Sequence, residues 1–223
     1  MKYLILFSTM LFFTLSGFGQ SEKQTFESPN MKAIIATHKT IAILPIKVTI
    51  SYKRLPKGFD ADGNRIEELK QGINIQENMY TYLLRKATSY TVTCQDVQTT
   101  NILLKKAGIF DKLDDTLKDS ICKILKVDAI IGASYAYEKT ASEAGAIAKS
   151  LLINPILPTF RGPNIASGLL IMNINDGTTG ELIWRFTKEK NQDVFSSANA
   201  MVEHMMRKVA RNFPYVAFAL QDK

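Results

Sequence analysis

The chain has 223 residues, of which 46% are hydrophobic and 22% charged, and its mean hydropathy is near zero. This composition is too apolar for a disordered protein, and a chain of this length can bury a core without help from disulfides or metals. The formal net charge is +7, but the basic residues are scattered, which favours a solvated basic surface over a nucleic-acid interface.

The first 19 residues are typical of a cleavable secretory signal. Lys2 provides a positive charge, residues 4–15 are apolar apart from three hydroxyl side chains, and Gly17 and Gly19 are the small residues that a signal peptidase reads. The run is too short for a membrane-spanning helix, which needs about 20 residues. No cysteine follows it, which excludes a lipoprotein anchor. We therefore expect a periplasmic or secreted mature chain of net charge +6.

Behind the signal, residues 20–38 are polar and predict a flexible leader, and residues 39–223 predict a single domain. Cys94 and Cys122 could form a disulfide in an exported chain, although both lie in apolar patterns that are typical of buried free thiols. The spacing of the cysteines and of the two histidines matches no metal site. We expect no metal and no other cofactor.

The first half of the domain begins with a strand. Residues 40–46 are β-branched and apolar without alternation, which predicts a buried strand, and Pro45 indicates a bulge or an edge position within it. Residues 51–66 predict a polar loop with a turn at 60–64. A helix is expected over 67–87, with these residues inward: Leu69, Ile73, Tyr80 and Leu83.

The next elements alternate between strand and helix. Residues 90–94 predict a second strand, and Asp96 and Gly108 are suited to begin and end a helix over 97–107. Another helix is expected from Asp114 or Asp115 to Leu125, and a third strand over 128–137.

Residues 138–166 interrupt this alternation, because prolines and glycines exclude a regular continuation. The segment has two interpretations. It is either a helical flap that covers the sheet or an apolar docking element for a partner or a membrane surface. The candidate docking residues are Ile147, Leu151, Leu152, Ile156, Leu157 and Phe160.

The end of the chain predicts a hairpin followed by a helix. Residues 168–174 and 181–186 are the two strands, with a turn over 176–180, and Trp184 is expected to anchor the core. A helix over 197–212 would turn these residues inward: Met201, Val202, Met205, Val209 and Phe213. The whole pattern predicts an α/β (α+β) domain with one mixed sheet of about four to five strands, helices packed on it, and a C-terminal hairpin and helix.

Three local sequences in this order resemble the envelope domains grouped around CsgG, LpoB and the amino-terminal domain of TolB. They are the opening strand at 40–45, the helix-to-strand junction at 125–132 and the hairpin turn at 176–184. The resemblance covers about residues 40–213. It implies a domain without enzymatic activity that binds other envelope proteins or assembles with them.

The sequence therefore predicts an exported, non-enzymatic binding or assembly module whose partner is another envelope protein, with no role for nucleic acid. Two alternatives remain. One is a peripheral membrane protein that makes transient contact through 138–166. The other is a hydrolase with catalytic groups far apart in the sequence, such as Asp128, Glu181 and His204, although no catalytic motif is present. The sequence does not indicate an oligomeric state.

Overall fold

The computed structural model describes residues 25–139, 165–195, 206–207 and 209–217. In chain order, the helices and strands are β1 (Thr25–Glu27), α1 (Met31–Ile35), β2 (Thr40–Ile43), β3 (Lys47–Tyr52), α2 (Ala61–Leu84), β4 (Thr93–Cys94), α3 (Val97–Lys106), α4 (Lys118–Leu125), β5 (Ala129–Lys139), β6 (Ile165–Asp176) and β7 (Leu182–Phe195). Residues 206–207 and 209–212 are also helical.

The seven strands in this described part form one mixed sheet in the order β1-β7-β6-β5-β2-β4, and β3 also pairs with β5. The central strand, β5, is parallel to β2 and β3 on one side and antiparallel to β6 on the other. β7 is antiparallel to both β6 and β1. The predicted class, a single mixed sheet with packed helices, is confirmed, although the sheet has more strands than the four to five expected.

Pro45 separates two strands that would otherwise be one. β2 pairs with the start of β5, where Ile41 lies opposite Ala129, and β3 resumes along the same strand, where Lys47 lies opposite Ser134. Proline has no N–H to contribute to the ladder, which accounts for the break over 44–46. The sequence places an irregularity at the same residue.

Helix α2 covers the outer edge of these two strands with a stripe of residues spaced four apart. The Ile50 N–H donates to Glu68 Oε1 at 2.8 Å, and Gln76 Nε2 donates to the Ile43 carbonyl at 2.7 Å. Between them, Gly72 lies so close to the strand that an added Cβ would be 2.2 Å from the Ile46 carbonyl oxygen. Side chains of the helix thus satisfy backbone groups that an edge strand would leave unpaired.

The main core lies on the side of the sheet that α2 and the C-terminal segment cover. Trp184 is fully buried, stacks on Phe186 and meets Phe213 edge to face. The prediction that Trp184 anchors the core is therefore confirmed. Other members of this cluster are Ile41, Ile43, Ile75, Met79, Tyr135, Leu170, Met172 and Ile174.

A smaller core lies on the opposite side, under α3 and α4. Ala42, Leu44 and Ile130 of the sheet region pack there against helix residues that include Leu104, Ile121 and Leu125. Helix α3 has the predicted cap, because Asp96 accepts from the Thr99 N–H at 2.8 Å. Gly108 follows the helix with a φ of +68°, the left-handed conformation that glycine adopts at helix ends.

The structure differs from the predictions for the leader and for α2. Residues 25–38 contain β1 and α1 and bury Met31, so this part of the expected leader is structured. Helix α2 begins at Ala61, with Asp60 as its N-cap. The predicted loop turn at 60–64 is therefore the cap and first turn of this helix. Of the four residues expected inward, Leu83 is buried and Tyr80 is partly buried against the main core, whereas Leu69 and Ile73 are exposed. The other buried residues of α2 are Gly72, Ile75, Gln76 and Met79.

Other boundaries also differ. The second predicted strand is reduced to Thr93–Cys94, and α4 begins at Lys118 rather than at Asp114 or Asp115. β6 and β7 are longer than the predicted hairpin strands. Of the five residues expected inward on the last helix, Val209 and Phe213 are buried, whereas Met201, Val202 and Met205 lie outside the described residues.

Candidate functional site

The side of the sheet opposite the main core is covered by α3 and α4 over only part of its area among the described residues. Along β5, Ile130 lies under α3 and α4, whereas the next residues on the same side, Gly132, Ser134 and Ala136, lie beyond the helical cover. We call the uncovered area the open face. The register places small, hydroxyl and apolar residues of β3, β5, β6 and β7 on it, among them Thr49, Ser134, Ala136, Ile171 and Thr187, all of them exposed or partly buried. The same register adds four charged residues, Lys47, Glu138, Arg185 and Glu189.

The pairing of the strands aligns these residues across the sheet. Ala136 lies opposite Thr49 on β3, and Ser134 lies opposite Ile171 on β6, which in turn lies opposite Thr187 on β7. Small and hydroxyl side chains lie beside two basic residues, Lys47 and Arg185, and two acidic residues, Glu138 and Glu189. The open face is therefore accessible among the described residues, and its opposite charges are equal in number.

A cavity of about 300 Å³ lies where the helical cover ends. Its floor is the sheet at Gly132, Ser134 and Asn173, and its walls come from the β2–β3 connection and the loop before α4. Gly132 lies opposite Asn173 in the strand register, and an added Cβ at Gly132 would meet no atom within 4 Å. The glycine thus leaves room above the strand.

The charged groups around this cavity are largely compensated. Lys47 Nζ and Asp114 Oδ2 form an exposed ion pair at 2.6 Å. The hydrogen bond between them raises the pKa of Lys47 and lowers the pKa of Asp114. Lys118 Nζ donates to the Leu113 carbonyl at 2.7 Å. The exposed pair adds little to stability, because water screens it, and serves mainly to neutralise the cavity mouth.

One polar atom at the cavity has no protein partner. Asn173 Oδ1 is buried and accepts no hydrogen bond from the described residues. The neighbouring amide differs, because Asn175 Nδ2 donates to the Gly180 carbonyl at 3.1 Å. A buried acceptor without a donor costs about 1–3 kcal/mol, and the burial of Asn173 Oδ1 also keeps it from groups that enter the cavity.

A second cavity, of about 390 Å³, opens on the main-core side between α2, β4 and the C-terminal segment. Its lining is mostly apolar and includes Leu83, Tyr90, Cys94 and Phe213. Burial raises the pKa of Tyr90 and of the Cys94 thiol to about 12 in each case. The thiol therefore stays protonated at neutral pH and is a poor nucleophile.

The two cysteines are both free thiols, which answers the question that the sequence left open. Cys122 is buried in the smaller core, and burial raises the pKa of its thiol also to about 12. Within the ranges that the structure describes, no group of three or more His, Cys, Asp or Glu residues could hold a metal ion.

A buried polar network ties the hairpin turn to both ends of the domain. His38 Nδ1 lies 2.7 Å from the Tyr215 hydroxyl, and His38 Nε2 lies 3.0 Å from Asp176 Oδ1. Asp176 Oδ2 also accepts from the backbone N–H groups of Thr178 and Thr179. Because His38, Asp176 and Tyr215 are at most 5% exposed, no substrate can reach them, and the network is structural.

Two of the three residues in the hydrolase hypothesis lie in the described part. Asp128 Oδ2 accepts from the backbone N–H groups of Lys39 and Thr40, both at 2.8 Å, so it fixes the start of β2. Glu181 is exposed beside the hairpin turn. His204 and all six candidate docking residues (Ile147, Leu151, Leu152, Ile156, Leu157 and Phe160) lie outside the described residues, as do the predicted signal and most of 138–166.

Hydropathy and length identify no helix in the described residues that could cross a membrane. No protein-family model matches the chain, and no curated protein matches it.

Solved structures with similar coordinates include the lipoprotein GNA1162 from Neisseria meningitidis, at 8% identity and a TM-score of 0.44, with 78% of this chain and 96% of that chain covered. The LpoB C-terminal domain from Salmonella enterica has 13% identity and a TM-score of 0.34, with 73% of this chain and 96% of that chain covered. The PelC dodecamer from Paraburkholderia phytofirmans has 8% identity and a TM-score of 0.38, with 81% of this chain and 90% of that chain covered.

Proposed function

We propose that this chain is an exported, non-enzymatic cell-envelope protein that binds another envelope protein through the open face. The observation that carries the proposal is that, among the described residues, the helices α3 and α4 cover β5 at Ile130 but not beyond Gly132, although β5 continues to Lys139. An accessible, nearly neutral sheet face next to a cavity is a surface that a second protein can cover.

The predicted docking segment is connected to the same face. In the sequence, residues 140–164 connect the end of β5 to the start of β6, two strands that contribute to the open face. The six apolar residues of this segment, Ile147, Leu151, Leu152, Ile156, Leu157 and Phe160, therefore belong to our proposal as further contacts with the partner. Export rests on the signal-like sequence of residues 1–19.

The proposal is tested by crosslinking the mature chain in the source envelope and identifying the proteins attached to it. Ala136→Arg places a long cation on the open face, and we expect it to abolish the crosslinked product. Thr81→Arg adds the same charge at an exposed position of α2 and serves as the matched control. If both variants retain the product, or both lose it, the open face is not the docking surface.

Deletion of residues 141–160 tests the segment separately. We expect the shortened chain to keep its cooperative thermal unfolding and to lose the crosslinked product. A deletion that unfolds the domain would show that the segment belongs to the core and would contradict its docking role.

A further inference from the structure

We propose that two copies of this chain associate through helix α2, with the two helices packed antiparallel. The surface involved is the α2 stripe, which consists of Ile66, Leu69, Ile73, Tyr80 and Leu84. No member of the stripe belongs to the open face, so this inference goes beyond the proposed function and does not depend on it. Three observations carry it: the exposure of the stripe, two charges beside it that have no described partner, and the fit of the stripe to a second copy of itself.

The stripe is a second apolar side of α2, apart from the side that meets the core. Its four aliphatic side chains are between 36% and 55% exposed, and Tyr80 is partly buried. At about 3.6 residues per turn, the five residues lie within about 60° of one another around the helix axis. The main core meets the helix mainly elsewhere, through the buried residues Ile75, Met79 and Leu83. An exposed apolar stripe of this kind is typical of a surface that another protein covers.

Two charges beside the stripe indicate which protein covers it. Lys70 and Glu77 are exposed on the same flank, and neither forms an ion pair with a described residue. They are separated by about two helical turns. A two-fold axis midway between them, at the peptide bond after Ile73, makes the two helices antiparallel. It then sets Lys70 of each copy beside Glu77 of the other. A parallel pair would set Lys70 beside Arg65 of the second copy, which repels it. The charges therefore favour a second copy in the antiparallel orientation.

The apolar side chains interdigitate in the same register, because positions equally far from the axis lie at the same level. Ile66 lies level with position 81 of the second copy, in the gap between Tyr80 and Leu84. Tyr80 lies level with position 67 of the second copy, in the gap between Ile66 and Leu69. Ile73 lies next to its own counterpart at the centre. Each large side chain thus meets a gap in the facing stripe, which is how neighbouring helices pack.

The length of the stripe sets the expected strength of the dimer. From position 66 to position 84 it extends over about 27 Å, at about 1.5 Å per residue. Each copy thus contributes one side of a single helix, which is at the small end of specific interfaces. We therefore expect a reversible dimer with a dissociation constant of about 1–10 μM. The two ion pairs are exposed and add little strength, but they decide the orientation of the helices.

The self-association is tested by sedimentation equilibrium of the mature chain, residues 20–223. We expect a monomer–dimer equilibrium within the concentration range of about 1–100 μM. Ile73→Lys sets two ammonium groups face to face at the centre of the interface and should raise the dissociation constant at least about 100-fold. Asn78→Lys adds the same charge at an exposed position of α2 outside the stripe, and this matched control should dimerise like the parent chain.

Charge reversal tests the antiparallel register. Lys70→Glu changes both ion pairs into repulsions and should weaken the dimer about tenfold at low salt. Glu77→Lys should weaken it to a similar extent, because each pair then holds two cations. The double variant Lys70→Glu/Glu77→Lys restores opposite charges and should return to within about threefold of the parent chain. Because all these positions are exposed, each variant should melt like the parent chain.

A parent chain that stays monomeric up to about 100 μM, or a dimer that persists in Ile73→Lys, would overturn the proposal. A double variant as weak as the single ones would overturn it too, because the two charges then do not meet. If the parent chain is monomeric and Ile73→Lys loses the crosslinked envelope product, a different protein covers the stripe and the proposal is wrong. If the parent chain dimerises but crosslinks to no other envelope protein, the proposed function fails and the dimer stands.

Discussion

The two sides of the sheet are closed to different extents, although both are formed by the same strands. On β5, Tyr135 and Tyr137 point into the main core and are buried, whereas their neighbours Ser134 and Ala136 lie on the open face. The cavities differ in the same sense: the one on the main-core side is lined mostly by apolar groups, and the one on the open face has polar groups on its floor. The main-core side is therefore the more fully buried of the two, and the opposite side is buried where α3 and α4 pack against it.

The largest expected difference between the sides comes from truncating their apolar residues. Trp184→Ala should lower the free energy of unfolding by about 3–5 kcal/mol, because it leaves a cavity in the main core. Ile171→Ala, on the open face, should cost at most about 1 kcal/mol, because its side chain is only partly buried. Urea denaturation of both variants measures the difference, and equal losses would show that the open face is packed like a core.

The glycines offer a second comparison. Gly72→Ala should destabilise the domain by about 1–3 kcal/mol, because its Cβ would collide with the backbone at Ile46. Gly132→Ala meets no atom within 4 Å and should change stability by at most about 0.5 kcal/mol. Thermal melts of the pair test whether the open face has the room that we describe. A large loss from Gly132→Ala would contradict it.

Acid should destabilise the end of the sheet where the start of β2, the start of β5 and the hairpin turn lie together. Burial alone would raise the pKa of Asp176, but hydrogen bonds from His38 and Thr179 outweigh it and hold the pKa below 3.8. The pKa of Asp128 is lowered likewise, because the Lys39 and Thr40 amides outweigh its desolvation. A depressed carboxyl pKa adds stability that is present above the unfolded value and is lost as the pH falls through the folded value.

We therefore expect the free energy of unfolding to be insensitive to these two groups above about pH 5 and to decrease below pH 3.8, the ordinary aspartate pKa. Asp128→Asn should reduce the slope of this decrease by removing one titrating group. Denaturation midpoints between pH 3 and pH 6 test the effect, and a parent and variant with the same slope would exclude Asp128 from it.

The smallest expected effect concerns the mouth of the open-face cavity. Lys47→Ala should change stability by less than about 1 kcal/mol, because both partners of its ion pair are exposed, at 67% and 72%. Salt should abolish what remains of the difference between variant and parent. A melt at low and high ionic strength checks this, and a large effect that persists in salt would mean that the pair is structural.

Several elements of both cores were predictable because local patterns determine them. The β-branched run at 40–46, the Asp96 and Gly108 caps and the hairpin around 176–180 all depend on neighbouring residues, and all are present. The inward face of α2 was predicted correctly at Leu83 but wrongly at Leu69 and Ile73, which are exposed. The helix instead turns Gly72 and Gln76 towards the strand edge, where a close approach and a hydrogen bond to a carbonyl replace apolar contact.

The open face could not have been predicted in the same way. Its residues Thr49, Ser134, Ile171 and Thr187 come from four strands, and the sequence contains no signal that brings them together. Gly132 was visible only as part of a helix-to-strand junction, and Asn173 only as one residue of a hairpin strand. Their relation is one of register, which the pairing of β5 with β6 determines. The candidate docking residues of 138–166 stay a prediction.

The network around His38 also bears on when the domain can fold. His38 and Tyr215 are separated by 177 positions in the chain and are in direct contact, with Asp176 bound to the same imidazole. A nascent chain cannot complete this contact until Tyr215 has been synthesised, so the network forms only after all seven strands of the described sheet are available. For a protein that crosses a membrane, as we propose, late closure is an advantage, because the translocation machinery receives a chain that has not yet committed to its native state.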